Sequence, residues 1–449
     1  MNNRDIADRS LARVWHPCTQ MKDHEQLLPL VPIASAEGPW LTDFDGKRYL
    51  DAVSSWWTSI FGHRHPLIVR RLKEQLDRLD HVLLAGFTHE GAVTLAEKLC
   101  AIAPAGLSRC FYSDNGSSAV EVALKMSFHY WRNAGHAGKT RFIALSNSYH
   151  GETLGALAVG GTGLYRDAYA PLLLQPIHVP SPDCFMRALG QSWEDHSREQ
   201  FLHMRIALER HAKEVCAVIV EPLVQCAGGM RMYHPVYLRL LREACTQHGV
   251  HLICDEVATG FGRTGKMFAS EWADIVPDLM CVSKGLTGGT LPLAATLATE
   301  SIYQAFYADW QSGRAFLHSH SYTGNPIACA AALATLEVFA QQDWMLANRN
   351  LGHLMWMNVA ALLRHPNVAE VRQQGMILAI ELAKDARARE PFPRERRTGL
   401  AVYRHALDKG VLLRPLGDVV YFMPPYTVGT EDVKLMAQTA IEGIELAVK

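Results

Sequence analysis

From about residue 60 onward, short apolar runs alternate with longer stretches whose apolar residues recur every three or four positions. The runs are RCFYS (109–113), RFIALS (141–146), VCAVIVEP (215–222), HLICDEV (251–257), DLMCVS (278–283) and LAATLAT (293–299). Between them lie helix-like stretches such as SSAVEVALKMSFHYW (117–131) and PVYLRLLREACTQHG (235–249), the latter with Pro235 near its start and Gly249 at its end. Strands alternating with helices predict an α/β body built on a mainly parallel sheet covered on both faces. Upstream, EGPWLTDFDGKRYLDAVSSWW reads as a hairpin whose alternating runs flank the Asp-Gly turn of DFDG. A long helix is expected over roughly 326–340. Beyond it, EVRQQGMILAIEL, KGVLLRPLG and VVYFMPPY predict a smaller α+β domain, to which the N-terminal hairpin is assigned. The expected division is 1–60 (arm and hairpin, part of the small domain), 61–335 (large domain) and 336–449 (small domain).

Composition narrows the partners. The 449 residues are 49% hydrophobic and 20% charged, with a formal net charge of -1. That balance offers no field for nucleic acid or an anionic membrane and suits small-molecule substrates. The first residues lack an apolar signal region, and no stretch approaches the ~20 apolar residues that span a bilayer, so a cytoplasmic protein is expected. Ten cysteines without a CxxC pair or framework spacing read as reduced packing residues.

In open α/β sheets ligands sit beyond the carboxyl ends of the strands. HLICDE ends there at Asp255, DLMCVSK at Lys284, and RCFYSDNGSS runs into a helix start at Gly116 and Ser117. Exposed backbone N–H groups, the helix dipole and hydroxyls suit a phosphate, although serine at a helix start is also an ordinary cap. Asp255 and Lys284 lie one strand–helix–strand step apart. An aldehyde cofactor such as pyridoxal phosphate needs one lysine for its Schiff base and a carboxylate facing its ring nitrogen; spacing alone equally allows a structural ion pair. The histidines of HSH and HRH (His63, His65) have no third ligand at a recognisable spacing, and no metal is expected.

Taken together and in order, WHP, DNGSSAVEVALK, YHGET, DEVATGFGRTG, PDLMCVSKGLTGG, GNPIACAAALATL and MPPY resemble the class III (ω-) aminotransferases, which are fold type I pyridoxal 5′-phosphate enzymes. The resemblance covers nearly the whole chain. It implies Lys284 as the cofactor-bearing lysine and proton shuttle, Asp255 as the partner of the ring nitrogen, and Gly116 and Ser117 at the phosphate. Tyr149 would lie against the ring and border the substrate. HSHSYTGNP matches the stretch that reaches the phosphate from the neighbouring subunit, with Ser321 where the family usually has threonine and with Ser319 and His320 beside it. A homodimer with shared active sites follows from that match.

A narrower resemblance, to the biotin-pathway branch of the family, rests on VWHPCTQM, SSWWTSIFGHRHP, VQCAGGMRMYHP and LLRPLGDVVYFMPPY. It implies 8-amino-7-oxononanoate as amino acceptor, with S-adenosylmethionine or, in some relatives, lysine as donor. Arg414 would bind the acceptor's carboxylate as a fork while Trp56 and Tyr149 flank its chain. Read without the resemblance, the two tryptophans are packing residues and Arg414 a surface ion-pair partner. Cys18 stands where the branch has a substrate-recognising tyrosine, Glu152 where aspartate is common, and Cys226 where glycine is usual. The rival readings are a general ω-aminotransferase of diamines or β-amino acids, an aminomutase, and a catalytically dead binding module.

Overall fold

A computed structural model describes residues 2–449. The chain divides into two compact units: residues 67–348, and residues 1–66 together with 349–449. Both boundaries fall later than the sequence predicts, at 66 rather than 60 and at 348 rather than 335. Following the chain, β1 (Ile33–Glu37), β2 (Trp40–Asp43) and β3 (Arg48–Asp51) belong to the smaller unit. The larger unit holds β4 (Leu107–Ser113), β5 (Arg141–Leu145), β6 (Ile177–Val179), β7 (Val215–Val220), β8 (Val224–Gln225), β9 (Arg231–Met232), β10 (His251–Asp255), β11 (Leu279–Val282) and β12 (Ala294–Thr299). The smaller unit resumes with β13 (Val368–Gln374), β14 (Ile377–Leu382), β15 (Val411–Leu412) and β16 (Val419–Phe422).

Seven of the large unit's strands form one sheet in the order β4-β12-β11-β10-β7-β5-β6. All its pairings are parallel except those of β12, which runs antiparallel to both β11 and β4. Every residue of β7, β10 and β11 is buried, as continuous apolar runs covered on both faces must be. The helix Gly116–Asn133 lays Ala119, Val120, Ala123 and Leu124 into this core beside Ile219, Ile253 and Cys281. Asn115 caps it, its side-chain oxygen accepting the Ser118 N–H at 3.0 Å. The helix Val236–His248 ends where expected, with Gly249 left-handed at φ 59°. The helix expected over 326–340 spans Pro326–Phe339.

In the smaller unit, β1, β2 and β3 form an antiparallel meander, and β15 adds to β3 in parallel. This pairing ties the N-terminal hairpin to the C-terminal segment. A second sheet, β13-β14-β16, is antiparallel. Where the sequence predicts only an arm, a helix covers Asn3–Arg13 with no residue buried. None of the ten cysteines forms a disulfide, and among the described residues no helix is long and apolar enough to cross a membrane.

Candidate active site

At the carboxyl edge of the large sheet the regular strands hand over to polar residues. Asp255 closes β10, in register with Cys281 of β11, so the chain reaches Lys284 three residues further along the neighbouring strand. The Asp255 carboxylate is buried. Its Oδ2 accepts from His150 Nδ1 at 2.8 Å and its Oδ1 from the Val257 N–H at 3.1 Å. The other ring nitrogen of the buried His150 has no hydrogen-bond partner, an orphaned polar atom that marks the neighbourhood as built for something more than packing.

Lys284 follows β11 with a left-handed backbone, φ 46°, uncommon for a residue with a side chain. Burial holds its ammonium below the usual lysine range, against the nearby acidic groups Cys226, Asp255 and Glu221, which favour the charged form. Gly288 and Gly289 close the turn that follows Lys284. In the structure they serve the turn and its packing. Gly288 and Gly289 have φ 60° and 80°, and a Cβ on Gly288 would meet Ile68 Cδ1 at 3.0 Å and Thr335 Oγ1 at 3.2 Å.

A second carboxylate, Glu221, escaped the sequence analysis although it stands just past β7 on the same edge. Its Oε1 accepts the Tyr149 N–H at 2.9 Å and its Oε2 the Cys226 N–H at 3.0 Å. Burial, reinforced by the charge of Asp255 and opposed by His150, pushes its pKa up to about 7. VIVEP was legible as a strand running into an acid; its position between β5 and β10 required the strand order. Cys226 lies in the same buried cluster, and burial pushes its thiol up.

The helix start sits against this edge. Gly116 packs on Val257, whose Cγ1 a Cβ at that position would meet at 2.7 Å. The Ser117 hydroxyl oxygen accepts the Glu152 and Thr153 N–H groups at 2.9 and 3.1 Å, pinning the YHGET segment to the helix. Gly151 is required there, since a Cβ would come within 3 Å of Ser117. Glu152, the departure from aspartate, accepts from the Tyr149 hydroxyl at 3.0 Å. In the same unit, His320 Nδ1 lies 3.3 Å from Asp114, just ahead of the helix, with Ser319 and Ser321 exposed on either side. The loop thus lies beside the helix start of its own chain.

The residues present fit pyridoxal phosphate. A buried carboxylate, a lysine with a lowered pKa and a helix start with N–H donors share one sheet edge, and His150 backs the carboxylate through Nδ1 while its Nε2 is left without a partner.

The remaining predicted residues belong to the smaller unit. Residues Ser54–Trp57 carry φ values of 49°, 44°, 73° and 75°. The Trp57 N–H donates to Val53 O and the Thr58 N–H to Ser54 O, at 2.8 and 2.9 Å. Four L-residues therefore make one turn of left-handed helix without a glycine, at roughly 1–2 kcal/mol per residue. The turn splits the tryptophan pair. Trp57 is buried, its indole N–H donating to the Tyr421 hydroxyl at 3.1 Å. Trp56 is 41% exposed, with the Arg414 guanidinium 4.8 Å from its ring centre. Packing thus accounts for Trp57 but not Trp56, and no carboxylate among the described residues pairs with Arg414. The HRH histidine His63 is bonded to Asp51. Cys18 is exposed, with φ 51°.

Known proteins of like sequence and shape give this geometry its setting. The family model for class-III aminotransferases matches residues 20–444. The adenosylmethionine-8-amino-7-oxononanoate aminotransferase of Helicobacter pylori is 44% identical over 98% of this chain and 97% of its own length. Its counterpart in Geobacter sulfurreducens is 43% identical over 100% and 98%. The crystal structure of the enzyme of that name from Methanocaldococcus jannaschii superposes with a TM-score of 0.94 at 37% identity, covering 99% of both chains. The ω-transaminase of Pseudomonas jessenii, solved in complex with PMP, superposes at 0.93 with 27% identity over 98% of each.

Proposed function

Because this chain belongs to the class-III aminotransferases, pyridoxal-phosphate-dependent transaminases of fold type I, we propose that it moves an amino group from S-adenosylmethionine to 8-amino-7-oxononanoate, giving 7,8-diaminononanoate for biotin synthesis. The observation that carries the acceptor is Arg414, stacked on the exposed Trp56 with no carboxylate partner of its own. A guanidinium so placed suits a carboxylate at the end of an apolar chain. Full-length relatives at 43–44% identity bearing that name support the same substrates.

When bound, pyridoxal phosphate supplies the electron sink that lets the amino-bearing carbon lose and regain a proton. Asp255, fixed by His150, would face the ring nitrogen and favour a positive charge there. The N–H groups at Gly116 and Ser117 would hold the phosphate, with Ser321 and His320 of a second copy completing the site in a homodimer. Tyr149 covers the ring and borders the substrate. Lys284 Nζ, whose charged form burial disfavours, would take the proton from the substrate carbon and return it on the other side of the reaction. Ser319 and Cys18 line the acceptor's path, and the cysteine leaves more room there than a tyrosine. The enzyme works in the cytoplasm on small molecules, without nucleic acid, membrane or metal.

The test is the visible spectrum of the purified holoprotein on adding each donor. Bleaching by S-adenosylmethionine is expected. Bleaching by lysine alone would change the donor, and bleaching only by alanine or a diamine would move the chain to the general ω-transaminases, whose solved members share its fold. A protein that takes up no cofactor would refute the reading.

A further inference from the structure

The left-handed turn raises a question of its own: what holds four consecutive L-residues in a backbone they disfavour? The inward half is anchored by Ser54 Oγ, donating to Met423 O at 2.9 Å, and by the Trp57 indole on Tyr421. Neither bond touches the outward half, Ser55 and Trp56, and Trp56 is too exposed for packing to fix it. That half is gripped by Asp51, whose side chain is wholly buried. Its Oδ1 accepts the Ser55 and Val53 N–H groups at 2.9 and 3.3 Å. Its Oδ2 accepts the Ser55 hydroxyl at 2.7 Å and His63 Nε2 at 3.0 Å. His63 is itself fixed by a two-way backbone pairing with Gly38, at 3.1 and 2.7 Å. Gly62 is needed for that approach, since a Cβ there would meet Gly38 O at 2.6 Å.

We propose that Asp51 is a positioning residue for the acceptor site: by clamping Ser55 it sets the left-handed turn that presents Trp56 to Arg414. Asp51 touches no substrate and acts through the turn. The inference rests on the reading of Trp56 and Arg414 as the carboxylate end of the acceptor site. Ionised, Asp51 accepts from all four donors at once, and Ser55 is the residue on which both of its oxygens converge. Letting the turn relax moves the ring that stacks on the guanidinium, and displacements of an ångström in a positioning group are felt strongly in turnover.

The experiment compares the acceptor's KM with the rate of the donor half-reaction in full-length holoenzyme. For Asp51→Ala, KM for 8-amino-7-oxononanoate rises about tenfold or more, while spectral bleaching by the donor keeps its rate within about twofold. Ser55→Ala, which removes one of the four bonds, gives a smaller rise in the same direction. Glycine enters the left-handed region without strain, so adding Ser55→Gly to Asp51→Ala recovers much of the lost affinity. An unchanged KM in Asp51→Ala, or an equal slowing of both half-reactions, overturns the proposal. If that variant does not fold, Ser55→Ala decides, and an unchanged KM there overturns it too. Should Arg414→Lys also leave KM unchanged, the acceptor-site reading has failed and the clamp with it. A raised KM in Arg414→Lys beside an unchanged one in Asp51→Ala defeats the clamp alone.

Discussion

The edge of the large sheet and the Ser54–Trp57 turn of the smaller unit place their working groups by opposite means. At the sheet edge, Asp255, Glu221 and the approach to Lys284 are set by strands whose registers are fixed by ladder bonds and by burial on both faces. A side chain there is aimed by fully buried, ladder-bonded strands. In the turn, Trp56 is aimed by a backbone of the wrong hand, held by side-chain bonds from a single buried carboxylate. The residues proposed for the family's common chemistry thus sit on regular structure, while those proposed to select the acceptor sit on a strained loop, which sequence change can retune without disturbing the sheet.

Four substitutions test that contrast. The largest effect is expected for Lys284→Ala, in which turnover falls by at least roughly 10⁴-fold because the proton-moving amine is gone. Direct binding of the acceptor, measured by calorimetry, is retained. Asp255→Asn follows, lowering kcat by on the order of 10²-fold through loss of the buried charge, with little change in the acceptor's KM. Arg414→Lys sharpens the other side. It raises the acceptor's KM by about 10- to 100-fold, the worth of a charge-assisted fork, and leaves the donor half-reaction as it was.

Smallest in its effect on turnover is Glu221→Gln, read in thermal unfolding against pH. The folded pKa of Glu221, about 7, lies above its ordinary value of 4.5 because burial disfavours the charge. Below pH 4.5 the carboxyl is neutral folded or unfolded and costs nothing. Between pH 4.5 and about 7 the unfolded state ionises first, so the wild type loses stability progressively; above about 7 the loss is constant. The glutamine variant lacks this loss. Its stability relative to wild type therefore rises by on the order of 3 kcal/mol across that window, on top of a pH-independent offset for the acceptor it gives up. A flat difference would show that Glu221 is not held neutral by burial.

Much of the large unit could be read directly from the chain, because apolar runs and periodic helices state their own structure and because a lysine and an aspartate at strand ends announce a shared edge. The six strands expected there all form. Glu221 was missed for a topological reason: β7 lies between β5 and β10 in the sheet, an order that local pattern does not contain. The three-residue β6 is too short for any period to register. The left-handed turn was hidden more deeply. SSWW carries no glycine and no asparagine, the residues that advertise positive φ, and its conformation is imposed by Asp51 and by segments hundreds of residues away, Tyr421 and Met423. The paired tryptophans were visible and the resemblance singled out Trp56, but their own pattern did not show that the turn would bury Trp57 and expose its neighbour.

The single reversed strand, β12, bears on the order of events during synthesis. β4, which leads to the Gly116 helix, joins the sheet through β12, with Ser113 opposite Ala294. A ribosome must therefore release about 180 further residues before β4 gains its partner. In the smaller unit the wait is longer, since β3 pairs with β15 at Val411 and Leu412. The segment bearing Asp51 and Trp56 is thus made long before it is shaped, and until its C-terminal partners emerge it is a nascent strand with an open edge for chaperones to guard.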